Sequence, residues 1–452
     1  MSSGNTSSPL QVARSLADYV ATLRPEHLSD RSIDVALCCL LDLLGAAAAA
    51  LDNLGVQAAR RAAVPLYGTG KVNLWFTGTT GSACAALLAN SAAAAALDLD
   101  DGYRRARGHP GAAVIPTVLA GLTQGLTADA LIAAVVAGYE VGVRMSMGRL
   151  SYAPSGAWSP HAVIAAAGRL NQSSATHMTQ AFGIAAQTAP ALPALAGMAG
   201  SDVKEGIPAG VVAGYAALKL AEAGLIGPAA MLDDKTLFAG GKILDGLGGV
   251  PLIEGTYFKP FGCCRHIHGA LDALLHLQRE HGFTRDDIAS IDVHTYRATF
   301  NLANRPVPHD LVDAQYSVPH CLAVCAWHGS DALLPLQDAH LNDPAVNDLA
   351  RRIAVHHDAG IEPLFPARSP SWITVTLRSA NRLHSPLVDP RGDPSNPLDW
   401  TQLVSKFLTT TARTLPEANQ QAVIEGVVQL RTGDVAPLRQ ALWCRSARRY
   451  RR

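Results

Sequence analysis

The sequence has little charge and few aromatic residues for its size. Of its 452 residues, 16% are charged and 6% are aromatic, against 48% that are hydrophobic. Lysine and arginine together number 37, as do aspartate and glutamate, so the formal net charge is zero. The charge balance gives no support to a nucleic-acid or membrane partner, because a basic excess is typical of such binding. The small charged fraction favours a surface that a second subunit partly covers.

The sequence also lacks metal-type cysteine spacings and long uninterrupted apolar runs. Its eight cysteines include no CxxC pair and no spacing typical of a zinc or iron–sulfur site, which indicates reduced thiols in a cytoplasmic protein. The N-terminal MSSGNTSSPL has neither the basic nor the apolar region of a signal peptide, and residues 1–9 are expected to be disordered. Gly, Asp and Arg interrupt the apolar runs before the ~18 residues of a membrane helix. These features predict a soluble intracellular protein.

Helical periodicity covers most of the chain, and its many Ala and Gly residues favour closely packed helices. Helices are predicted at 10–23, 33–51, 82–97, 112–124, 127–147, 160–170, 174–188, 208–223, 316–328 and 400–443. Alternating β-branched residues predict strands at 288–296, 352–356 and 372–378. The sequence therefore predicts a mainly α fold. A large all-helical domain is made from both chain ends, 1–265 and 391–452, and a smaller inserted α+β lid domain covers 266–390.

The most informative stretch is the loop at 97–110, LDLDDGYRRARGHP. It lies between an alanine-rich apolar run and a second apolar run that begins at Ala112. Charged groups held between buried segments are costly unless they are paired or used. Gly102, Gly108 and Pro110 restrict the backbone around these charges, which indicates a shaped loop rather than a solvated one. We therefore predict that this loop is the centre of an active site.

Three stretches, taken together in their order and spacing, resemble one known family. They are LDLDD at 97–101 followed by GHP at 108–110, SDVK at 201–204, and KPFGCC at 259–264 followed by His268. Softer matches are GYEV at 138–141, AQYS at 314–317 and GDPSNP at 392–397, ahead of Lys406. The family is MmgE/PrpD, which holds 2-methylcitrate dehydratases, cis-aconitate decarboxylases and an iminodisuccinate epimerase. The resemblance covers nearly the whole chain and implies a homodimer without a metal or cofactor.

The family's reactions remove a proton next to a carboxylate, or lose CO₂ to leave an equivalent carbanion, so the site needs cations and a proton donor. His109 is the first choice as general base or acid, because imidazole titrates near neutral pH. Asp98 would orient His109 or carry a proton, and Lys204 and Lys259 would hold substrate carboxylates. The resemblance implies five catalytic residues: Asp98, His109, Lys204, Lys259 and His268.

A second set of residues is expected to bind a small polycarboxylate substrate. Arg265 and His268 share a face at the start of a helix, where anions are favoured. The loop arginines would attract or recognise a further carboxylate, with at least two of the three exposed to solvent. The expected substrate-binding residues are Asp101, Arg104, Arg107, His161, Cys264 and Arg265.

Two departures from the family pattern bear on the reaction. The loop from Asp98 to His109 is about one residue longer than usual and contains three arginines. Where the family often has His before Pro, this chain has Ser159, and His161 is a substitute that would point in another direction on its helix. Neither Cys263 nor Cys264 is expected to act as a nucleophile, because no reaction of the family needs one.

Several functions stay open at this point. The first is a metal-independent lyase of the 2-methylcitrate dehydratase type, with cis-aconitate decarboxylation or epimerisation of a substituted succinate as alternatives. The second is a metal-dependent hydratase with ligands among Asp98, Asp100, Asp101, His109 and His268. The third is a binding protein without activity. In each case the site is expected in the cleft between the two domains.

Overall fold

A computed structural model describes residues 11–122, 125–193 and 200–443. The prediction for residues 1–9 lies outside these ranges. The fold is mainly α, as predicted. The helices are α1 (Val12–Thr22), α2 (Asp30–Ala49), α3 (Leu54–Tyr67), α4 (Ala83–Ala95), α5 (Gly111–Ala120), α6 (Ala128–Gly148), α7 (Ser159–Leu170), α8 (Ala175–Thr188), α9 (Ile207–Glu222), α10 (Gly240–Leu244), α11 (Arg265–His281), α12 (Leu311–Gln315), α13 (Val318–His328), α14 (Asp338–Leu341), α15 (Pro344–Ala350), α16 (Trp400–Thr411), α17 (Glu417–Gln429) and α18 (Ala436–Ala441).

The strands are short and form three small sheets. They are β1 (Val72–Leu74), β2 (Thr79–Gly81), β3 (Gly102–Tyr103), β4 (Thr256–Tyr257), β5 (Ile288–Thr295), β6 (Ile353–His357), β7 (Trp372–Leu377) and β8 (Arg382–His384). The largest sheet has the order β6-β5-β7-β8, with β5 and β6 parallel and the other pairs antiparallel. Its buried residues, Ile291 and Val375 among them, join one apolar core with α11 and α13.

The other large core belongs to the helices from both ends of the chain. Small residues let these helices approach closely, as the sequence predicted. A Cβ atom on Gly142 of α6 would lie 2.7 Å from the Ala162 side chain on α7. On Gly214 of α9 it would lie 2.5 Å from the Pro160 carbonyl oxygen, so only glycine fits either position.

Two expectations from the sequence were wrong. The helix predicted at 400–443 is three helices, because Pro416 precedes α17 and Gly433 takes a left-handed conformation with φ of 93° before α18. Two helical segments, Asp30–Asp52 and Ala128–Gly148, are long and apolar enough to cross a membrane, although no such run was expected. Most of each is buried inside the protein, at 72% and 83%, which is typical of the core helices of a globular domain.

Candidate active site

The shortest sheet brings the two most distinctive sequence stretches together. β3, within the loop at 97–110, pairs antiparallel with β4, and Gly102 lies opposite Tyr257. A Cβ on residue 102 would lie 2.3 Å from the Tyr257 hydroxyl, so glycine is needed there. Since Lys259 follows β4 directly, the pairing carries its side chain to the acidic loop.

Asp98 is the centre of a buried ionic cluster. Its backbone is left-handed, with φ of 52°, and its carboxylate is 1% exposed. Oδ1 accepts a hydrogen bond from Lys259 Nζ at 2.8 Å and lies 3.1 Å from Lys204 Nζ. Burial opposes ionisation, but the two ammonium groups hold the pKa of Asp98 well below its usual value. The cluster therefore keeps Asp98 charged and directs two cations to one point.

His109 is held so that one ring nitrogen faces the cluster. Its Nδ1 lies 2.8 Å from the Asp101 carbonyl oxygen, which can only accept, so Nδ1 carries a hydrogen. Its backbone N–H donates to Ser155 Oγ at 3.0 Å. Nε2 then lies 3.7 Å from both Asp98 Oδ1 and Glu205 Oε1. His109 Nε2 is thus the nitrogen placed to give or take a proton.

Glu205 is a site residue that the sequence did not reveal. Its Oε2 accepts two hydrogen bonds from Ser155, at 3.1 Å from the backbone N–H and 2.5 Å from Oγ. Its backbone is left-handed, with φ of 49°, which an L-residue seldom adopts. The two bonds leave Oε1 facing His109. The sequence feature that could have identified it is its position directly after Lys204, a predicted site residue.

A cavity of about 230 Å³ opens beside this cluster. Arg265 and Arg104 line it, and Asp393 joins them by accepting from Arg104 Nη2 at 2.6 Å and Arg265 Nη2 at 2.7 Å. Arg107 is exposed at the cavity with its guanidinium 4.5 Å from the ring centre of Tyr152. The charged and ionisable residues of the lining include Asp98, Arg104, Arg107, His109, Glu205, Lys259 and Arg265.

Cys264 also lines the cavity, as its predicted binding role requires. Its backbone N–H donates to the Gln315 carbonyl at 2.9 Å, which fixes the start of α11. Burial raises the pKa of the thiol to about 12, so Cys264 is a neutral thiol rather than a nucleophile.

The structure does not bring His268 to the cavity. Its Nε2 lies 3.1 Å from the Cys263 carbonyl and its Nδ1 lies 3.1 Å from Arg265 Nη1, so both nitrogens are occupied. The ring of His268 therefore helps to hold the Arg265 guanidinium in place. Burial keeps the pKa of His268 well below its usual value. His266 lines the cavity instead. His266 and His268 thus point to different sides of α11, and His266 is the one that faces the cavity.

Three further predicted residues, Lys204, Asp101 and His161, are not among those that line the cavity. Asp101 Oδ1 accepts the Gly111 N–H at 3.1 Å, at the start of α5, and its other oxygen accepts from the Tyr139 hydroxyl. His161 stacks on Phe182 at 6.1 Å between ring centres, and burial lowers its pKa to about 3. Ser159, at the position of the missing family histidine, donates to the Ser155 carbonyl at 2.7 Å. It therefore supports the residue that holds Glu205 and His109.

The metal-ligand alternative meets an electrostatic obstacle. Asp98, Asp100 and His109 bring ligand atoms within 4.8 Å of one another, a cluster found among the residues that the structure describes. However, Asp98 Oδ1, which lies 3.7 Å from His109 Nε2, already has two ammonium groups within 3.1 Å. A divalent cation would meet two positive charges there, so these residues do not fit a metal, and we derive no step through one.

A C-terminal helix, α16, also anchors the backbone of the loop at 97–110. Lys406 of α16 donates to the Leu99 carbonyl at 3.0 Å and to Asp42 Oδ1 of α2 at 2.6 Å. Lys406 and Asp42 are both buried, so this pair is shielded from solvent. The backbone next to Asp98 is thus fixed by groups from both ends of the chain.

Comparison with known proteins identifies the family of this chain. The MmgE/PrpD N-terminal domain matches residues 14–242, and the MmgE/PrpD C-terminal domain matches residues 261–431. A cis-aconitate decarboxylase of Aspergillus terreus (strain NIH 2624 / FGSC A1156) is 26% identical over 404 residues, covering 80% of this chain and 81% of the relative. A second cis-aconitate decarboxylase of Aspergillus terreus is 25% identical over 403 residues, with the same shares. The chain belongs to the MmgE/PrpD family and is related to lyases.

Proposed function

We propose that this protein is a metal-independent lyase that acts on a small di- or tricarboxylic acid by proton transfer next to a carboxylate. One observation carries the proposal. His109 Nε2 and Glu205 Oε1, 3.7 Å apart, face a cavity that also contains the cations of Lys259, Arg104 and Arg265. Such a site combines two proton carriers with positive charge for an enolate-like intermediate.

Dehydration of a 2-methylcitrate-like hydroxy-acid is the reaction that best uses both carriers. Glu205, whose Oε2 is fixed by two hydrogen bonds from Ser155, takes the proton from the carbon next to a carboxylate through Oε1. His109 Nε2 gives a proton to the departing hydroxyl, which leaves as water while the C=C bond forms. Lys259 and the arginines stabilise the charge that develops on the substrate carboxylate. The proton on Glu205 then returns to His109 across the short gap.

Decarboxylation of cis-aconitate is the second candidate, because two relatives are named for it. Loss of CO₂ leaves its electron pair on the carbon skeleton, and one proton donor completes the reaction. His109 serves as that donor, while Glu205 has no required part. The two reactions therefore differ in their need for Glu205.

Proton NMR in D₂O, with 2-methylcitrate, citrate, cis-aconitate and a 2-substituted succinate, tests the proposal. Alkene formation without CO₂ indicates dehydration, CO₂ release indicates decarboxylation, and deuterium uptake alone indicates epimerisation. We expect His109→Gln to reduce either lyase reaction by about 10²–10⁴-fold, the usual contribution of a general acid or base.

Glu205→Gln separates the two lyase reactions, since it should remove dehydration and spare decarboxylation. The matched control is Glu222→Gln, because Glu222 also accepts from a serine, Ser173 Oγ at 2.6 Å, and is a half-buried residue outside the cavity lining. This control should retain full turnover. If the folded protein neither converts nor exchanges any acid in the panel, the proposed function is wrong.

A further inference from the structure

The cavity lining changes character along the chain. Its charged side chains all come from the loop before α5, from Glu205 and from 259–265. From His266 onward, the residues that line it have no charged side chain, and they include Tyr296, Ala298, Leu302, Ala303 and Phe365. One part of the lining, made of His266, Tyr296, Ala298, Leu302, Ala303 and Phe365, thus carries no charged side chain, and we call it the neutral wall.

Three rings form the centre of the neutral wall. Tyr296 and Phe365 stack with their centres 4.5 Å apart and their planes 13° apart. The His266 ring lies 5.3 Å from Tyr296 and 5.6 Å from Phe365. Burial lowers the pKa of His266 to about 4, so this ring is uncharged at neutral pH. Its buried Nδ1 has no hydrogen-bond partner among the residues that the structure describes.

No residue of this wall carries a charge that could pair with a carboxylate. Placing one there would remove its hydration without an ion pair, which is costly. A hydrocarbon group would instead cover the rings and the short side chains of Ala298 and Ala303, and release water from them.

We propose that the neutral wall is a subsite for a hydrocarbon substituent, so that the substrate is a polycarboxylic acid bearing an alkyl or aryl group larger than methyl. The three rings and the adjoining Ala298 and Leu302 offer more apolar surface than one methyl group can cover. His266 Nδ1 can accept a hydrogen bond from a polar atom at the base of that substituent. The inference rests on the proposed function for the reaction, but the binding it describes can be measured without turnover.

Isothermal titration calorimetry with a series of 2-substituted succinates tests the subsite. The series is unsubstituted, 2-methyl, 2-ethyl, 2-propyl and 2-phenyl succinate, with identical carboxylates throughout. We expect the dissociation constant to fall by about fourfold for each added methylene, the effect of burying one such group. Ala298→Leu fills the wall and should bring the affinity ratio of 2-propyl to unsubstituted succinate close to one.

Two controls separate the subsite from general effects on folding. Phe365→Ala should reduce the same affinity ratio, whereas Phe300→Ala, at an exposed residue outside the lining, should leave it unchanged. Ala367→Leu adds the same bulk as Ala298→Leu on the exposed surface and should also have no effect.

Equal affinity across the series, or no binding of any member, overturns the subsite. Failure of the proposed function looks different. In that case no acid in the NMR panel is converted, while the succinates still bind in order of their substituents. If cis-aconitate is converted and substituents give no gain in affinity, the lyase function stands and the neutral wall has no role in binding.

Discussion

Replacing Asp101 by Asn should stabilise the protein in a pH-dependent way. Burial, with further contributions from the neighbouring Asp42 and Asp100, raises the pKa of the Asp101 carboxyl from 3.8 to about 7. The folded protein therefore binds a proton that the unfolded chain releases near pH 4. As pH rises from 4 to 7, the free energy of unfolding falls, and above pH 7 the full cost is present.

The expected change in the free energy of unfolding follows from the shift in the pKa of Asp101. About three pKa units at roughly 1.4 kcal/mol each give a penalty of about 4 kcal/mol at pH 8 and almost none at pH 4. Asparagine avoids this penalty because its side chain has no charge. Its side-chain oxygen can still accept a hydrogen bond from the Gly111 N–H at the start of α5. The variant should thus become progressively more stable than the natural protein as the pH increases.

Urea unfolding followed by circular dichroism, at pH 4 to 8.5, measures this difference. Subtracting the two proteins at each pH removes the contributions of all titrating groups that do not interact with Asp101. Asp129→Asn is the control, since Asp129 is an exposed acid in the first turn of α6 and its replacement should change the stability only slightly. A constant difference for Asp101→Asn, or a loss of stability at pH 8, would refute the reasoning.

Three other predictions follow from the site. Lys259→Met should abolish turnover and lower the free energy of unfolding by about 3–5 kcal/mol, because Asp98 loses its closest partner; unchanged stability in urea would contradict this. Dialysis against a chelator should leave turnover unchanged, since two ammonium groups occupy the only ligand cluster among the described residues; activity that is lost and then restored by Zn²⁺ or Mn²⁺ would contradict it. His268→Gln should reduce stability by about 1–3 kcal/mol and His266→Gln should change KM at constant stability; the reverse pattern would show that the two histidines have been assigned in the wrong order.

The short loop was the part of the site most accessible from sequence. Asp98 and His109 are close in the chain, and the restricted backbone between them keeps them close in space. Lys259 and Lys204 could be placed only through the family resemblance, because the β3–β4 pairing and the turn before α9 that bring them to Asp98 involve two or three residues each. Such short elements have no periodicity to detect.

Two site residues that the sequence did not reveal are His266 and Glu205. Each reaches the site because of the direction of its side chain rather than its position in the chain. His266 and His268 are two residues apart on a helix, so they point to different sides, and only the packing of α11 decides which one faces the cavity. Glu205 follows an expected lysine, but its left-handed backbone turns its side chain toward His109. For the same reason, the role of Asp101 was not visible, since its carboxylate turns to the N-terminus of α5 while its neighbour Asp98 turns to the lysines.

The bond from Lys406 to the Leu99 carbonyl spans 307 residues of chain. During synthesis at roughly 5–20 residues per second, the loop would wait about 15 to 60 s on the ribosome before its supporting lysine is made. Until then Asp42 stays without that partner, and the backbone beside Asp98 lacks its anchor. The backbone of the site therefore depends on a residue that is synthesised long after the loop itself. A nascent chain interrupted before α16 would lack Lys406, and with it the hydrogen bond to the Leu99 carbonyl.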